Sequence, residues 1–206
     1  MPGPYDGLPQ SQWRSITEKL VSKHPLTPEL ADAVLAAWED IFASRIGSKQ
    51  YRIGRDIQLV PQLMGSLLHE LIPLVVSDRH PNKWRRQQTK NEKDLVCVFD
   101  PTLSLEIKTS SHPSQVFGNR SYGQKATAED PTAKGKSGYY LAVNFEKFDS
   151  SGRKPKITLV RFGWFDRTDW ISQHAQTGQQ ARLPPSTYEL KLVRLYPLDT
   201  ESSASE

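Results

Sequence analysis

Lys93-Asp94-Leu95-Val96-Cys97-Val98-Phe99-Asp100-Pro101-Thr102-Leu103-Ser104-Leu105-Glu106-Ile107-Lys108-Thr109-Ser110 is the stretch on which the reading of this 206-residue chain turns. Apolar residues recur with a period of two on both sides of Asp100-Pro101-Thr102, a turn composition. The stretch therefore reads as two strands, Asp94–Phe99 and Leu103–Ser110, joined as a hairpin. In the second strand Leu103, Leu105 and Ile107 take one face, a core face, and Ser104, Glu106, Lys108 and Ser110 take the other. A carboxylate and an ammonium thus stand side by side. Asp94 joins them only in one parity of register. Residues opposite each other in an antiparallel pair share a face, so an odd-numbered loop brings Asp94 near Lys108 or Ser110. An even loop turns it away.

These three side chains suit phosphodiester hydrolysis. Two carboxylates, Asp94 and Glu106, can hold a hard divalent cation such as Mg2+, with the carbonyl of Ile107 as a further ligand and waters completing an octahedron. Such a metal lowers the pKa of a bound water and neutralises charge growing on the phosphate. Lys108 beside that water can orient or deprotonate it and stabilise the anionic transition state. The rival explanation is a chance Glu-x-Lys pair on an exposed strand. The chain holds a second copy, Glu189-Leu190-Lys191, whose nearest upstream acids, Asp166 and Asp169, lie some 20 positions away. That copy reads as a surface pair in a strand.

Working outward, Arg79 to Lys93 carries six basic residues (Arg79, Lys83, Arg85, Arg86, Lys90, Lys93) against one acid, Glu92. This run reads as a loop in which Arg85, Arg86 and Lys90 meet phosphate. The first half of the chain is helical. Gln10–His24 has Trp13, Ile16, Leu20 and Val21 at helical spacing, and Thr27-Pro28 opens a helix with Leu30, Val34, Trp38, Ile41 and Phe42 on one face, ended by Gly47. A third helix starts at Pro61 and runs to about Val76, with Pro73 a candidate kink. After the hairpin, Tyr139–Phe145, Ile157–Phe162 and Tyr188–Leu195 read as strands and Asp166–Ala175 as a helix.

Composition bounds the rest. With 36% hydrophobic and 24% charged residues the chain is of the ordinary globular class, and its net charge of +4 is compatible with a nucleic-acid partner. One cysteine, Cys97, excludes a disulfide framework and a cysteine-type zinc site and reads as core. No run reaches membrane-spanning length, and the start, Met1-Pro2-Gly3-Pro4, lacks the pattern of a signal peptide, so a cytoplasmic setting is expected. Trp164 and Trp170 read as core. Gly135-Lys136-Ser137 is set aside as a phosphate loop, because Asp130 stands where that motif needs glycine. His24, His69, His80, His112 and His174 show no metal-binding spacing.

The hairpin, together with Phe117-Gly118-Asn119-Arg120-Ser121-Tyr122-Gly123-Gln124, Gly163-Trp164-Phe165-Asp166-Arg167-Thr168-Asp169-Trp170 and Thr177-Gly178-Gln179-Gln180-Ala181, resembles the type II restriction endonucleases of the PD-(D/E)xK superfamily, and among them the ScaI-type family. The resemblance spans roughly Pro61 to Leu195; Lys93 stands where the superfamily motif has proline. It implies an α/β fold, a mixed β-sheet flanked by helices with an N-terminal helical segment. The corresponding organisation is a single nuclease domain over 1–206: a helical part over 1–58 available for dimerisation, a catalytic core over 59–198 and a disordered tail over 199–206. It also implies a homodimer that cuts a short palindromic duplex with Mg2+, leaving 5′-phosphate and 3′-hydroxyl ends, in a prokaryotic cell whose DNA a companion methyltransferase protects.

Further candidates follow. Glu70 is a third acid, since many enzymes of the superfamily carry a glutamate on the helix before the hairpin; Gln62, Ser66 and Glu70 also form one polar helical stripe, which solvent exposure explains. Asn119, Arg120, Ser121 and Gln124 are groups that read base edges or touch phosphate, and Gln179, Gln180 and Arg182 offer the same chemistry. Two alternatives stand beside the restriction enzyme: a structure-specific repair or junction-resolving nuclease of the same fold, and a catalytically inactive DNA-binding protein.

Overall fold

A computed structural model describes residues 3–119, 122, 135–172 and 180–198. In chain order its elements are α1 (Trp13–Lys23), α2 (Leu30–Ala43), β1 (Arg45–Ile46), β2 (Tyr51–Arg52), α3 (Pro61–Arg79), β3 (Trp84–Arg86), β4 (Leu95–Cys97), β5 (Leu105–Ser110), β6 (Gly118–Asn119), β7 (Gly138–Phe145), β8 (Ile157–Phe165), β9 (Ile171–Ser172), β10 (Gln180–Arg182), α4 (Pro185–Leu190) and β11 (Leu192–Tyr196).

Strand β7 shows why the layers form. Every residue from Gly138 to Phe145 is buried, so both of its faces need cover. Leu141, Val143 and Phe145 point into the larger core, and Tyr140 and Ala142 into a smaller one on the opposite side. A strand apolar on both faces belongs in the middle of a sheet. The sheet runs β11-β8-β7-β5-β4-β3, with β5 and β7 parallel and all other neighbours antiparallel. Helices cover one face. Leu30, Ala33, Val34, Ala37, Trp38 and Ile41 of α2 and Met64, Leu68, Ile72 and Val76 of α3 recur at helical spacing and close the larger core. Burying each large aliphatic or aromatic side chain contributes about 1.5–3 kcal/mol. A small antiparallel sheet, β6-β10-β9, lies with the second core, where Tyr122, Trp170, Ala181 and Leu183 meet Tyr140, Ala142 and Phe165. The mixed, helix-flanked α/β sheet is the expected fold class.

Several elements depart from the sequence reading. The basic run after Arg79 contains an edge strand, β3, rather than a loop throughout, because Trp84 is drawn into the core. The hairpin strands are shorter than expected: Val98 and Phe99 lie in the connection, 51% and 62% exposed, and Leu103 is in a 3-10 turn. Thr27 does not cap α2; its hydroxyl donates to the carbonyl of Val21 at 2.6 Å, and the helix begins at Leu30 and ends at Ala43, before Gly47. Helix α3 runs through Pro73 to Arg79. The apolar face of α2, expected to be available for dimerisation, is enclosed within the chain's own core.

The region from Asp166 onward differs most. The expected helix is a 3-10 turn, Arg167–Asp169, followed by β9, and residues 173–179 lie outside those described. The expected strand Tyr188–Leu195 begins as α4 and becomes β11 only at Leu192. One residue explains both. Lys191, read as a surface lysine, is 2% exposed and sits 2.8 Å from Asp166 Oδ2 and 2.8 Å from Asp169 Oδ2. The rings of Tyr5 and Trp13 lie over it at 4.2 and 4.3 Å. A buried ammonium needs such partners, so the chain bends to bring both aspartates to it. Among the described residues no helix is long and apolar enough to cross a membrane.

Candidate active site

The site grows from the register of the hairpin. Leu95 pairs with Leu105, so one residue further Asp94 stands across from Glu106. This is the parity that puts Asp94 on the face of Glu106 and Lys108. The partner is Glu106, not Lys108 or Ser110, because the connection takes up Val98 to Ser104 and shifts the pairing. Asp100 shapes that connection, its Oδ1 accepting from the amide and the hydroxyl of Thr102 at 3.0 and 2.6 Å.

Beyond Leu95 the strand β4 gives way, and the Asp94 side chain takes over the ladder: its Oδ2 accepts the amide of Ile107 at 2.7 Å. In an extended strand the N–H and C=O of one residue leave on the same edge, so the Ile107 carbonyl faces the Asp94 side as well. Glu106 is 2% exposed, and its Oε1 accepts from Lys108 Nζ at 2.8 Å and from the hydroxyl of Tyr122 at 2.6 Å. The Lys108 ammonium lies 4.7 Å from the centre of the Tyr122 ring. Burial pushes the Tyr122 phenol well above its usual range, so it remains a donor.

These groups line a cavity of about 370 Å³ with Gln87, Lys90, Asn119 and Lys136. Burial, with Arg167 nearby, holds the Lys136 ammonium below the ordinary lysine range. The cavity therefore combines two carboxylates with three lysines, a mixture that can take a divalent cation and an anionic phosphate together. The donor set fits a hard divalent cation: two carboxylates from facing positions of the register, with room for water.

Other expected residues fall at varying distance from this cavity. Lys90 and Asn119 line it. Arg85 lies on β3 and forks onto Glu92 at 2.5 and 3.0 Å, holding that carboxyl at about 2. Arg86 pairs with Glu70 at 2.6 Å. Glu70 is half exposed and is not among the residues lining the cavity; the α3 side chain that approaches Asp94 is His69, Nδ1 to Oδ2 3.5 Å. Arg120, Ser121, Gln124 and Gln179 lie outside the described residues. Gln180 and Arg182 are exposed on β10, with Gln180 paired to Asn119. Cys97 and Trp170 are buried, as expected.

A second groove of about 640 Å³ adjoins Asp94 through His69. It runs between α3, with Gln62 and Ser66, and the end of β5 with the segment after it, with Ser110 and His112, and reaches Gln180. Two buried polar residues hold that segment. Asn144 donates to the carbonyls of His112 and Gln115 at 2.7 and 2.9 Å, and Arg161 donates to Ser114 at 2.5 Å and to Asn144 Oδ1 at 3.0 Å.

His69, Tyr122 and Lys136 escaped the sequence reading as site residues. Tyr122 stands inside the segment that carries the resemblance. Lys136 stands in the tripeptide dismissed as a phosphate loop, and it reaches the cavity without forming one. His69 is one position from Glu70, and helical spacing alone does not give the rotation that decides between them.

The family model for the ScaI restriction endonuclease matches residues 3–196. The chain is 47% identical, over 195 residues, to the type II restriction enzyme ScaI of Streptomyces caespitosus, with 94% of this chain and 84% of that protein covered. The likeness thus extends beyond Pro61–Leu195 to the N-terminal helices, whose side chains share the core of the sheet. The chain belongs to the ScaI restriction endonuclease family.

Proposed function

We propose that this chain cuts double-stranded DNA at a short palindromic sequence in a Mg2+-dependent hydrolysis, with Asp94, Glu106 and Lys108 as the reacting centre. Sequence-specific DNA cleavage is the activity of its family. The observation that carries the assignment of residues is the convergence of these three side chains on one cavity from β5 and the residue that precedes β4.

Asp94, Glu106 and the Ile107 carbonyl would hold the cation. When bound, such a cation would supply a lower pKa for the attacking water and a positive charge against the scissile phosphate. The Lys108 ammonium, fixed by its hydrogen bond to Glu106, orients the attacking water and stabilises the negative charge that grows on the phosphate. Lys90 and Lys136 balance the phosphate charge. The products carry 5′-phosphate and 3′-hydroxyl ends. Arg85 and Arg86 flank the cavity as phosphate contacts, and Glu70 acts through Arg86, fixing its guanidinium. Asn119, Arg120, Ser121 and Gln124 are the residues assigned to reading bases or touching phosphate.

Described residues of 1–58, from Val21 to Ile53, share one core with described residues of 59–198, from Met64 to Phe162, which supports reading the chain as a single nuclease domain. A palindrome cut on both strands calls for two copies related by a two-fold axis, one active site per strand. Such an enzyme acts in the cytoplasm of a prokaryote whose own DNA a separate methyltransferase protects.

The test is cleavage of a fully sequenced phage DNA with Mg2+, beside Glu106→Ala and a Ca2+-only reaction. Discrete fragments from the native protein alone establish the activity, and their ends give the site. Nicking that follows DNA structure, lost in Glu106→Ala, keeps the centre and discards sequence recognition. Intact DNA throughout, from folded protein, leaves a binding protein.

A further inference from the structure

We propose that Tyr122 is a positioning residue of the active site, its hydroxyl fixing the Glu106 carboxylate and its ring supporting the Lys108 ammonium. The inference rests on the assignment of Glu106 and Lys108 above. It adds that the segment carrying Asn119, which faces DNA in that reading, also sets the geometry of the reacting pair.

The hydroxyl of Tyr122 reaches Glu106 Oε1 at 2.6 Å, in the range of a charge-assisted O–H to carboxylate bond. Lys108 donates to the same oxygen at 2.8 Å from another direction. Two donors converging on one oxygen fix the plane of the carboxylate and hence where its second oxygen points. The face of the Tyr122 ring, 4.7 Å from Lys108 Nζ, gives the ammonium a second point of support. Lysine has large rotamer freedom, and these contacts restrict where Nζ stands in the cavity.

The ring is held from behind. Trp170 meets it edge-on at 4.9 Å, and a β-carbon built at Gly118 would stand 2.9 Å from Tyr122 Cγ and 3.1 Å from Trp170 Cε3. Glycine at 118 therefore lets the ring lie where its hydroxyl meets Glu106. Gly118 and Asn119 are paired to Ala181 and Gln180 of β10, so the small sheet fixes the backbone on one side of Tyr122.

Packing alone accounts for an aromatic ring at 122, and Tyr122→Phe separates the two explanations, since it keeps the ring and removes one hydrogen bond. With the full-length protein on its cleavage site, the single-turnover rate at saturating DNA falls about 10- to 100-fold, the range of a lost hydrogen bond to a charged group. Duplex affinity in Ca2+ stays within about twofold of native, so the loss is in kcat rather than KM. Mn2+ affinity read by electron paramagnetic resonance, without turnover, weakens severalfold because the carboxylate is no longer held. Gly118→Ala, which keeps the hydroxyl but crowds the ring, lowers the same rate. Tyr122→Phe with native rate and native Mn2+ affinity, beside an inactive Glu106→Ala, overturns the inference and leaves the active site standing. An active Glu106→Ala instead overturns the assignment of the site itself.

Discussion

Gly65 of α3 meets Thr109 of β5 so closely that a β-carbon at position 65 would stand 2.7 Å from Thr109 Oγ1. Thr109 follows Lys108, and one helical turn beyond Gly65 His69 reaches Asp94. The missing side chain at 65 therefore sets how deeply α3 settles onto the site. Gly65→Ala gains about 1 kcal/mol of helix propensity but overpacks the contact by about 1–3 kcal/mol. The expected result is a modest loss of stability and a larger loss of cleavage rate. Adding Thr109→Ala restores both. Urea unfolding and cleavage assays on the two variants measure it, and a double variant as impaired as the single one removes the contact as the cause.

Lys191 is the keystone of the N-terminal attachment. Lys191→Met leaves Asp166 and Asp169 facing each other and takes the cation from beneath Tyr5 and Trp13. Breaking a buried ion cluster from one side costs about 3–5 kcal/mol. Burial already raises the Asp169 carboxyl against the opposing pull of Lys191, so the expected loss is large. Pairing Lys191→Met with Asp169→Asn should recover a good part of it in urea unfolding; no recovery would mean that the ring contacts, not the charges, dominate.

His24 gives the fold a pH dependence. Its Nε2–H donates to the carbonyl of Leu103 at 2.9 Å, and its Nδ1 accepts from the amide of Leu26 at 3.3 Å, which fixes a neutral tautomer. Burial lowers its pKa below the usual 6.5. The unfolded chain thus takes up a proton that the folded chain refuses. This contribution to stability is complete above about pH 6.5 and declines as the pH falls below it toward the folded value. The difference in unfolding free energy between the native protein and His24→Gln should shrink from pH 7.5 to 5.5, roughly a one-proton slope at most. A pH-independent difference refutes the neutral buried form.

Lys90 and Arg85 stand in the same basic run but answer salt differently. Lys90 opens into the cavity, and Lys90→Ala should weaken duplex binding in Ca2+ and lower the slope of log affinity against log salt by about one. Arg85 is engaged with Glu92, and Glu92 in turn accepts the amides of Gln88 and Thr89 at 2.7 and 3.2 Å. Arg85→Ala should loosen that turn and slow cleavage, with a smaller change in salt slope. Equal slopes for both variants and the native protein would remove this run from the DNA contacts.

Period-two alternation placed Glu106 and Lys108 on one face of a strand and Leu105 and Ile107 on the other, and helical spacing marked the buried faces of α2 and α3, because both patterns are local properties of the backbone. The same locality explains what stayed hidden. Alternation gives the face of a strand but not its register, so the sequence left open both whether Asp94 shares the face of Glu106 and Lys108 and which residue it meets. The motif Asp166-Arg167-Thr168-Asp169 serves a helix or a single 3-10 turn equally well until a distant Lys191 claims both carboxylates. Glu189-Leu190-Lys191 looked like a surface pair because its partners lie about 20 residues away in sequence and 2.8 Å away in space. Sequence alone determined which residues could do the chemistry. Only tertiary packing decided that Tyr122, His69 and Lys136 stand beside them, since contacts between elements depend on how far each helix turns and how deeply each loop settles.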